Sequence, residues 1–233
     1  MSEQAKSPTP ERVMQFAWGY APPLILEAAI RHGIFDTLDQ GPKDASQVAE
    51  ATGISLRGAR AVLNALVGLE LLARIDDRYA LTEESATFLV STRPSFYGGI
   101  FRHVSEQLLP KWLPLTEVVR TGKPAEVVNE ENTGGEFFAQ FVEALIPLGY
   151  AGAQALAKAL GAHEAQPGYS VLDLAAGSGV WSIPFAQASP NVRATAVDWP
   201  EVLPVTRRVM ARFGVESQYA FTAGDLLEAD FGT

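Results

Sequence analysis

Two structural classes follow one another along this sequence: a mainly helical first part, residues 1–161, and an α/β second part, residues 162–233, with a parallel, doubly wound sheet. Three observations predict this division. Apolar residues recur at helical spacing through most of the first part. The one strand-like pair there flanks Asp76-Asp77-Arg78. After Ser170, short apolar runs alternate with helical stretches in the order β-α-β-α-β. At roughly 150 residues per domain, a length of 233 residues predicts one to two domains, and the change of class along the chain favours two.

Composition narrows the function. Hydrophobic residues make up 47% of the chain and charged residues 19%, which excludes a disordered or collagen-like polymer. With no Cys there is no disulfide framework, no thiolate metal site and no Cys nucleophile, a composition suited to a reducing cytoplasm. The first eleven residues lack the order of a signal peptide, and no run of about 18 apolar residues predicts a membrane span. The net charge is −9, and the second part holds four basic against eight acidic residues. Phosphate backbones need clustered Lys and Arg, so a small molecule is a better expected partner than nucleic acid or a membrane.

The elements follow in order. Residues 12–36 place Phe16, Tyr20, Leu24, Leu26, Ile30 and Ile34 on a helical stripe that Pro22 and Pro23 divide into two pieces. Asp44 and Gln47 have capping-box spacing, and the short helix they start ends at Gly53. Ser55 caps a longer helix with Ala59, Val62, Leu63, Leu66 and Val67 on one face. A hairpin follows, its strands around Arg74-Ile75 and Tyr79-Ala80-Leu81. Three helices and a hairpin are the order of a winged helix. Between Lys43 and Leu81 five basic residues face five acidic ones, and the would-be recognition helix offers only Arg57 and Arg60, a solvated face more than a DNA-reading one. Helical segments continue to residue 161, broken at Pro94, Pro110, Pro114, Pro124 and Gly134-Gly135, with an apolar helix over 136–160 kinked at Pro147. Gly161 and the polar run to Gly168 form the expected linker.

In the second part Val171-Leu172-Asp173-Leu174 is a buried strand, followed by the turn Ala175-Ala176-Gly177-Ser178-Gly179 and a helix to Ala188. A strand at 194–197, a helix from Pro200 to Phe213 and a strand at 219–222 complete the pattern. Ligands of such sheets bind at the carboxyl ends of the strands. The small-residue turn at Gly177 and Gly179 lets backbone approach a ligand, and the helix beside it offers unpaired N–H groups. Asp198, 19 residues after Gly179, stands where an acid accepts from ribose hydroxyls. Asp225, after Gly224, is an acceptor for an exocyclic amine such as that of adenine, and Trp199 offers an adenine face. Ser182 stands where a dinucleotide fingerprint has Gly or Ala, and Asp173 is unusual beside pyrophosphate. A phosphate-free adenosyl cation, S-adenosylmethionine, fits better.

Asp173-Leu-Ala-Ala-Gly177-Ser-Gly179 resembles motif I of class I S-adenosylmethionine-dependent methyltransferases, and Val197-Asp198-Trp199-Pro200-Glu201-Val202-Leu203 and Gly224-Asp225-Leu226 resemble the next two cofactor motifs. Gly33-Ile34-Phe35-Asp36, the 46–53 helix, 63–72 and Tyr79-Ala80-Leu81-Thr82 are similar to the winged-helix dimerisation domain of the O-methyltransferases typified by plant caffeate and hydroxyindole enzymes and by polyketide-tailoring enzymes of secondary metabolism. The resemblance implies a Rossmann-like domain, of which the sequence holds the first half. It also implies a homodimer and methyl transfer to the oxygen of a small aromatic or polyketide-type acceptor. By it, Asp198 holds the ribose, Asp225 and Leu226 the adenine, and the Gly177 region the methionine end; Asp173, Gly179 and Trp199 complete the expected set.

Three departures stand out. Ala175 replaces the first glycine of the motif, read as a mild change of size, and Pro184 is expected to distort the following helix. The sequence ends just after the third strand whereas the family continues, so the chain is expected to be a piece of a longer protein. None of His32, His103 and His163 falls in a cofactor motif, so no catalytic residue is named; no metal is implied, the pair Glu130-Glu131 reading as solvated. Two other readings are a relative that binds the cofactor without transferring methyl, and a winged-helix regulator that senses it. An acceptor pocket is expected between residues 137–150 and the cofactor face.

Overall fold

The structure is a computed structural model that describes residues 9–93, 95–125, 131–139, 141–227 and 231. Pro94, Glu130, Gly232 and Thr233 lie outside these, as does the side chain of Glu131. By compactness the chain divides into two units, one up to Ser105 and one from Glu106 on.

The first unit begins with helices α1 (Glu11–Trp18), α2 (Ala21–Arg31) and α3 (Ile34–Asp39). Pro22 and Pro23 start α2 instead of dividing a helix, because the first turn leaves its N–H groups unpaired in any case. The second break comes at Gly33, whose φ of +66° turns the chain into α3. The capping box of Asp44 and Gln47 opens α4 (Ala45–Thr52), and left-handed Gly53 closes it. The Ser55 hydroxyl accepts from the Gly58 N–H at the start of α5 (Leu56–Gly68). Strands β1 (Leu72–Ile75) and β2 (Arg78–Leu81) pair antiparallel about Asp76-Asp77, and Thr82 caps α6 (Glu83–Phe88). Ile34, Leu63 and Leu66 of the expected stripes are fully buried together with Phe35 and Val48, whereas Phe16, Tyr20 and Leu24 of the first stripe are exposed. Each buried side chain contributes about 1.5–3 kcal/mol.

Short helical pieces follow: α7 (Gly99–His103), a π turn (Val104–Leu108), α8 (Leu109–Trp112) and α9 (Leu115–Thr121). Helix α10 (Glu131–Ala139) contains Gly134-Gly135 within it, contrary to the expected break, and both glycines are buried. A Cβ on Gly135 would collide with Glu201, so the absence of side chains is what lets α10 pass. The long helix expected over 136–160 is instead α10, a 3-10 turn (Val142–Leu145) and α11 (Ile146–Ala159). Pro147 produces no kink because it lies in the first turn of α11.

Strands β3 (Ser170–Leu174), β4 (Arg193–Asp198) and β5 (Tyr219–Ala223) form a parallel sheet with β4 in the middle. Leu174 pairs with Val197 and Asp198 with Ala223, which brings the three carboxyl ends level. Helix α12 (Ile183–Ala188) joins β3 to β4, and α13 (Leu203–Arg212) joins β4 to β5. Ile183, Ala196, Val205, Val209 and Met210 pack in one cluster beneath the sheet ends. Helix α12 starts three residues later than one following directly on Gly179 would, and Pro184 does not distort it, since it occupies the first turn. Helix α11 packs on α12, which is why the compact unit starts well before the linker expected at Gly161.

Candidate functional site

The site is built on the chain reversal after β3. Ala175, Gly177 and Gly179 have φ of +53°, +56° and +77°, so the turn doubles back on itself through left-handed conformations. Three bonds fix it. The Ala176 N–H donates to the Val197 carbonyl at 3.1 Å, the Gly177 N–H to Asp198 Oδ2 at 2.7 Å, and the Thr206 hydroxyl to the Gly177 carbonyl at 2.6 Å. Asp198 Oδ1 accepts from its neighbour's Trp199 N–H at 2.7 Å. The carboxylate at the end of β4 therefore staples the glycine turn to the sheet while each oxygen keeps a lone pair for a further donor. Burial raises the Asp198 pKa above the ordinary carboxylate value, and the two backbone N–H bonds oppose that.

Above the turn lies a cavity of about 760 Å³. It sits in the upper half of the roughly 300–1,000 Å³ range of small-molecule sites. The turn residues Ala175–Ser178, Asp198 with Trp199, and the run Gly224–Leu227 form its sheet side; Phe138, Val142, Leu145, Leu148, Gly149, Val180 and Trp181 form the other. Trp199 is half-buried against Phe138, with ring centroids 5.9 Å apart. Asp225 accepts from the Leu227 N–H at 2.8 Å, which orders the loop after β5.

Five of the seven residues expected to bind a cofactor thus share one wall: Gly177, Asp198, Trp199, Asp225 and Leu226. The structure keeps Asp173 and Gly179 off that wall. Asp173 accepts from the Ser182 hydroxyl, which in turn accepts from the Tyr219 phenol at 3.0 Å. Burial, with a smaller push from Asp198 and against the Ser182 bond, drives the Asp173 carboxyl up to about 6. Gly179 faces inward, where a Cβ would stand 2.5 Å from Met210 Cε. The negative charge that disfavours phosphate in the cavity therefore belongs to Asp198 and Asp225. The helix N–H groups expected beside Gly179 are also spent, since Ser182 and Ile183 both donate to the Gly179 carbonyl.

Phe138, Val142, Leu145, Leu148 and Gly149 stand opposite the turn, within the 137–150 stretch from which an acceptor pocket is expected, and Trp181, which no sequence motif singles out, joins them. It is 51% exposed on the cavity wall. The spacing Gly149-x-x-Gly152 inside an apolar helix was the signal that could have found it. None of His32, His103 and His163 lines the cavity. Among the described residues no group of three His, Cys, Asp or Glu is placed to hold a metal ion, and no helix is long and apolar enough to cross a membrane.

Residues 14–91 match the family described as the O-methyltransferase dimerisation domain. The chain is 30% identical over 204 residues to a 3-hydroxy-5-methyl-1-naphthoate 3-O-methyltransferase of Streptomyces sahachiroi, covering 86% of this chain and 58% of that protein. It is 30% identical over 226 residues to the tetracenomycin polyketide synthesis 8-O-methyl transferase TcmO of Streptomyces glaucescens, covering 93% of this chain and 64% of the relative. Among solved structures, a protein of Nostoc punctiforme PCC 73102 provisionally assigned as an O-methyltransferase superposes with a TM-score of 0.86 at 27% identity, covering 97% of this chain and 68% of that one. Human N-acetylserotonin methyltransferase in complex with SAM shares the fold, with a TM-score of 0.74 at 24% identity over 96% of this chain and 68% of its own. The chain is a relative of the O-methyltransferases, and it spans less than two thirds of the two curated relatives described here.

Proposed function

We propose that this chain carries the cofactor half of a methyltransferase that moves a methyl group from S-adenosylmethionine to the oxygen of a small aromatic or polyketide-type molecule. One observation carries the reading: a glycine turn, a ribose acceptor and an amine acceptor, Gly177, Asp198 and Asp225, converge on one cavity at the carboxyl edge of a parallel sheet. When bound, the cofactor supplies a methyl group on an already activated leaving sulfur. The protein's part is then alignment and exclusion of water. In this reading Asp198 accepts from the ribose hydroxyls through the lone pairs its backbone bonds leave free, Asp225 and Leu226 receive the adenine beside Trp199, and the Gly177 turn borders the methionine end. Asp173 and Gly179 act from behind, holding the turn.

Methylation at oxygen is favoured by the naphthoate and tetracenomycin relatives, whose own names state it. A homodimer through the first unit is supported by the dimerisation-domain match and by α1, where Val13, Phe16 and Trp18 are 70%, 75% and 61% exposed. The lack of Cys supports a cytoplasmic setting. The test is transfer of labelled methyl from S-adenosylmethionine to a panel of phenols. Label is expected on the phenolic oxygen and to fall at least about 10-fold in Asp198→Ala; label on carbon or nitrogen only, or no effect of the variant, contradicts the reading.

A further inference from the structure

The cavity has more wall than the cofactor reading uses, and one side of that wall differs in kind from the rest. Asp198, Asp225 and the turn are polar and suit a zwitterionic cofactor. Leu145, Leu148, Val180 and Trp181 are apolar, and no Lys, Arg or His stands among the cavity's described lining residues. Trp181 is the largest of them. Its indole lies along α11: a Cβ built on Gly149 would stand 3.8 Å from Trp181 Nε1, and one on Gly152 3.5 Å from Cη2 and 3.8 Å from Cζ3. A methyl group there would just touch the ring, and any longer side chain would displace it. Glycine inside a helix costs about 1 kcal/mol relative to alanine. Helix α11 carries two, at the two positions over which the indole spreads.

The helix backs the ring at Gly149 and Gly152, and half of the side chain stays open at the cavity. A large aromatic side chain backed by a helix and half open at an apolar cavity wall offers a surface on which a flat ring can stack.

We infer that Trp181, seated on Gly149 and Gly152, is the stacking surface for the methyl acceptor and selects a planar, uncharged fused-ring hydroxyarene. The inference rests on the methyltransferase reading for the word acceptor, but the stacking itself does not need it. A flat ring gains offset stacking worth about 0.5–1.5 kcal/mol beyond its buried area, which a saturated ring of the same outline forgoes. A carboxylate on the ring would meet Asp198 and Asp225 across the cavity with no cation among the described lining residues to offset it.

The test uses 2-naphthol and its saturated counterpart decahydro-2-naphthol, titrated calorimetrically with and without S-adenosylhomocysteine. The native chain is expected to prefer 2-naphthol by about 10-fold. Trp181→Ala is expected to lose that preference, Trp181→Phe to keep most of it, and both to bind S-adenosylhomocysteine within about two-fold of the native chain. Gly152→Leu is expected to behave as Trp181→Ala does. Equal affinity of the native chain for the two alcohols overturns the inference, as does 2-naphthol binding unmoved by Trp181→Ala, or a parallel loss of S-adenosylhomocysteine in that variant. A chain that takes 2-naphthol through Trp181 yet ignores S-adenosylhomocysteine sinks the cofactor reading and leaves the stacking surface standing; the reverse sinks the stacking surface alone.

Discussion

Ala175 opens the turn beneath the cavity at φ +53°, where an L side chain crowds its own carbonyl. Its departure from glycine is therefore conformational as well as one of size, which the sequence alone did not reveal. The left-handed strain costs about 1–2 kcal/mol, and replacing alanine by glycine returns about 0.4–1 kcal/mol of that to the unfolded chain's freedom. Ala175→Gly is expected to raise stability by about 0.5 kcal/mol, read as a denaturation midpoint at unchanged slope; a loss would show that the turn is unstrained. Asp173 gives a prediction in pH. Its carboxyl titrates near about 6 when folded against 3.8 free, so between those values the folded state holds a proton that the unfolded chain has released. Stability from this group falls as pH rises through that window and stays lost above it, by of order 2–3 kcal/mol. Asp173→Asn is expected to flatten the drop in melting temperature between pH 5 and pH 7.5, and an unchanged drop would place the titration elsewhere. That Asp198, Asp225 and Gly177 meet at one cavity wall was legible in the sequence because strand ends and glycine turns leave a spacing. Asp173 was legible as an oddity within a strand, but not as a side chain turned away from the cavity, since which face of a five-residue strand meets the cavity depends on the turn that follows.

At the scale of elements, caps and glycine stops were read correctly wherever the deciding contact lies within four residues, as at Asp44-Gln47, Gly53 and Ser55. Prolines were misread where they begin helices: Pro22, Pro23, Pro147 and Pro184 all sit in first turns. The break before α11 comes from the 3-10 turn Val142–Leu145, which Glu143 ties to α13 by pairing with Arg208 at 2.7 Å and Arg212 at 2.6 Å. That tie spans more than sixty residues, beyond any local pattern. Val142 of the 3-10 turn packs beside the glycine turn, its side chain 3.5 Å from where a Gly177 Cβ would stand, an ordinary contact distance. Helix α11 supplies a sharper test. Gly152 has an ordinary helical backbone and space for a methyl group, so Gly152→Ala is expected to add about 1 kcal/mol of stability while leaving 2-naphthol binding unmoved. A destabilised variant would mean that the indole already touches the helix backbone.

At the scale of the whole molecule, both classes of structure were legible, since helical periodicity and β-α-β alternation are properties of long stretches. The partner surfaces were less so. Exposed Val13, Phe16 and Trp18 give α1 an apolar face with no buried residue, the kind of surface that a second copy covers. Phe16→Asp together with Trp18→Asp is expected to convert a dimer to a monomer in analytical ultracentrifugation, and a double variant that sediments as the native chain does would assign the interface elsewhere. On the other unit, β3 pairs only with β4 among the described residues, leaving Leu172 and Leu174 47% and 46% exposed. The account as a whole depends on an acidic cavity that accepts adenosine without phosphate. Calorimetry with S-adenosylhomocysteine, ATP and NAD tests that most directly. Saturable binding of S-adenosylhomocysteine, at least about 100-fold tighter than either phosphate-bearing nucleotide, is the expected result; no heat with it, or equal affinity for all three, would contradict the account.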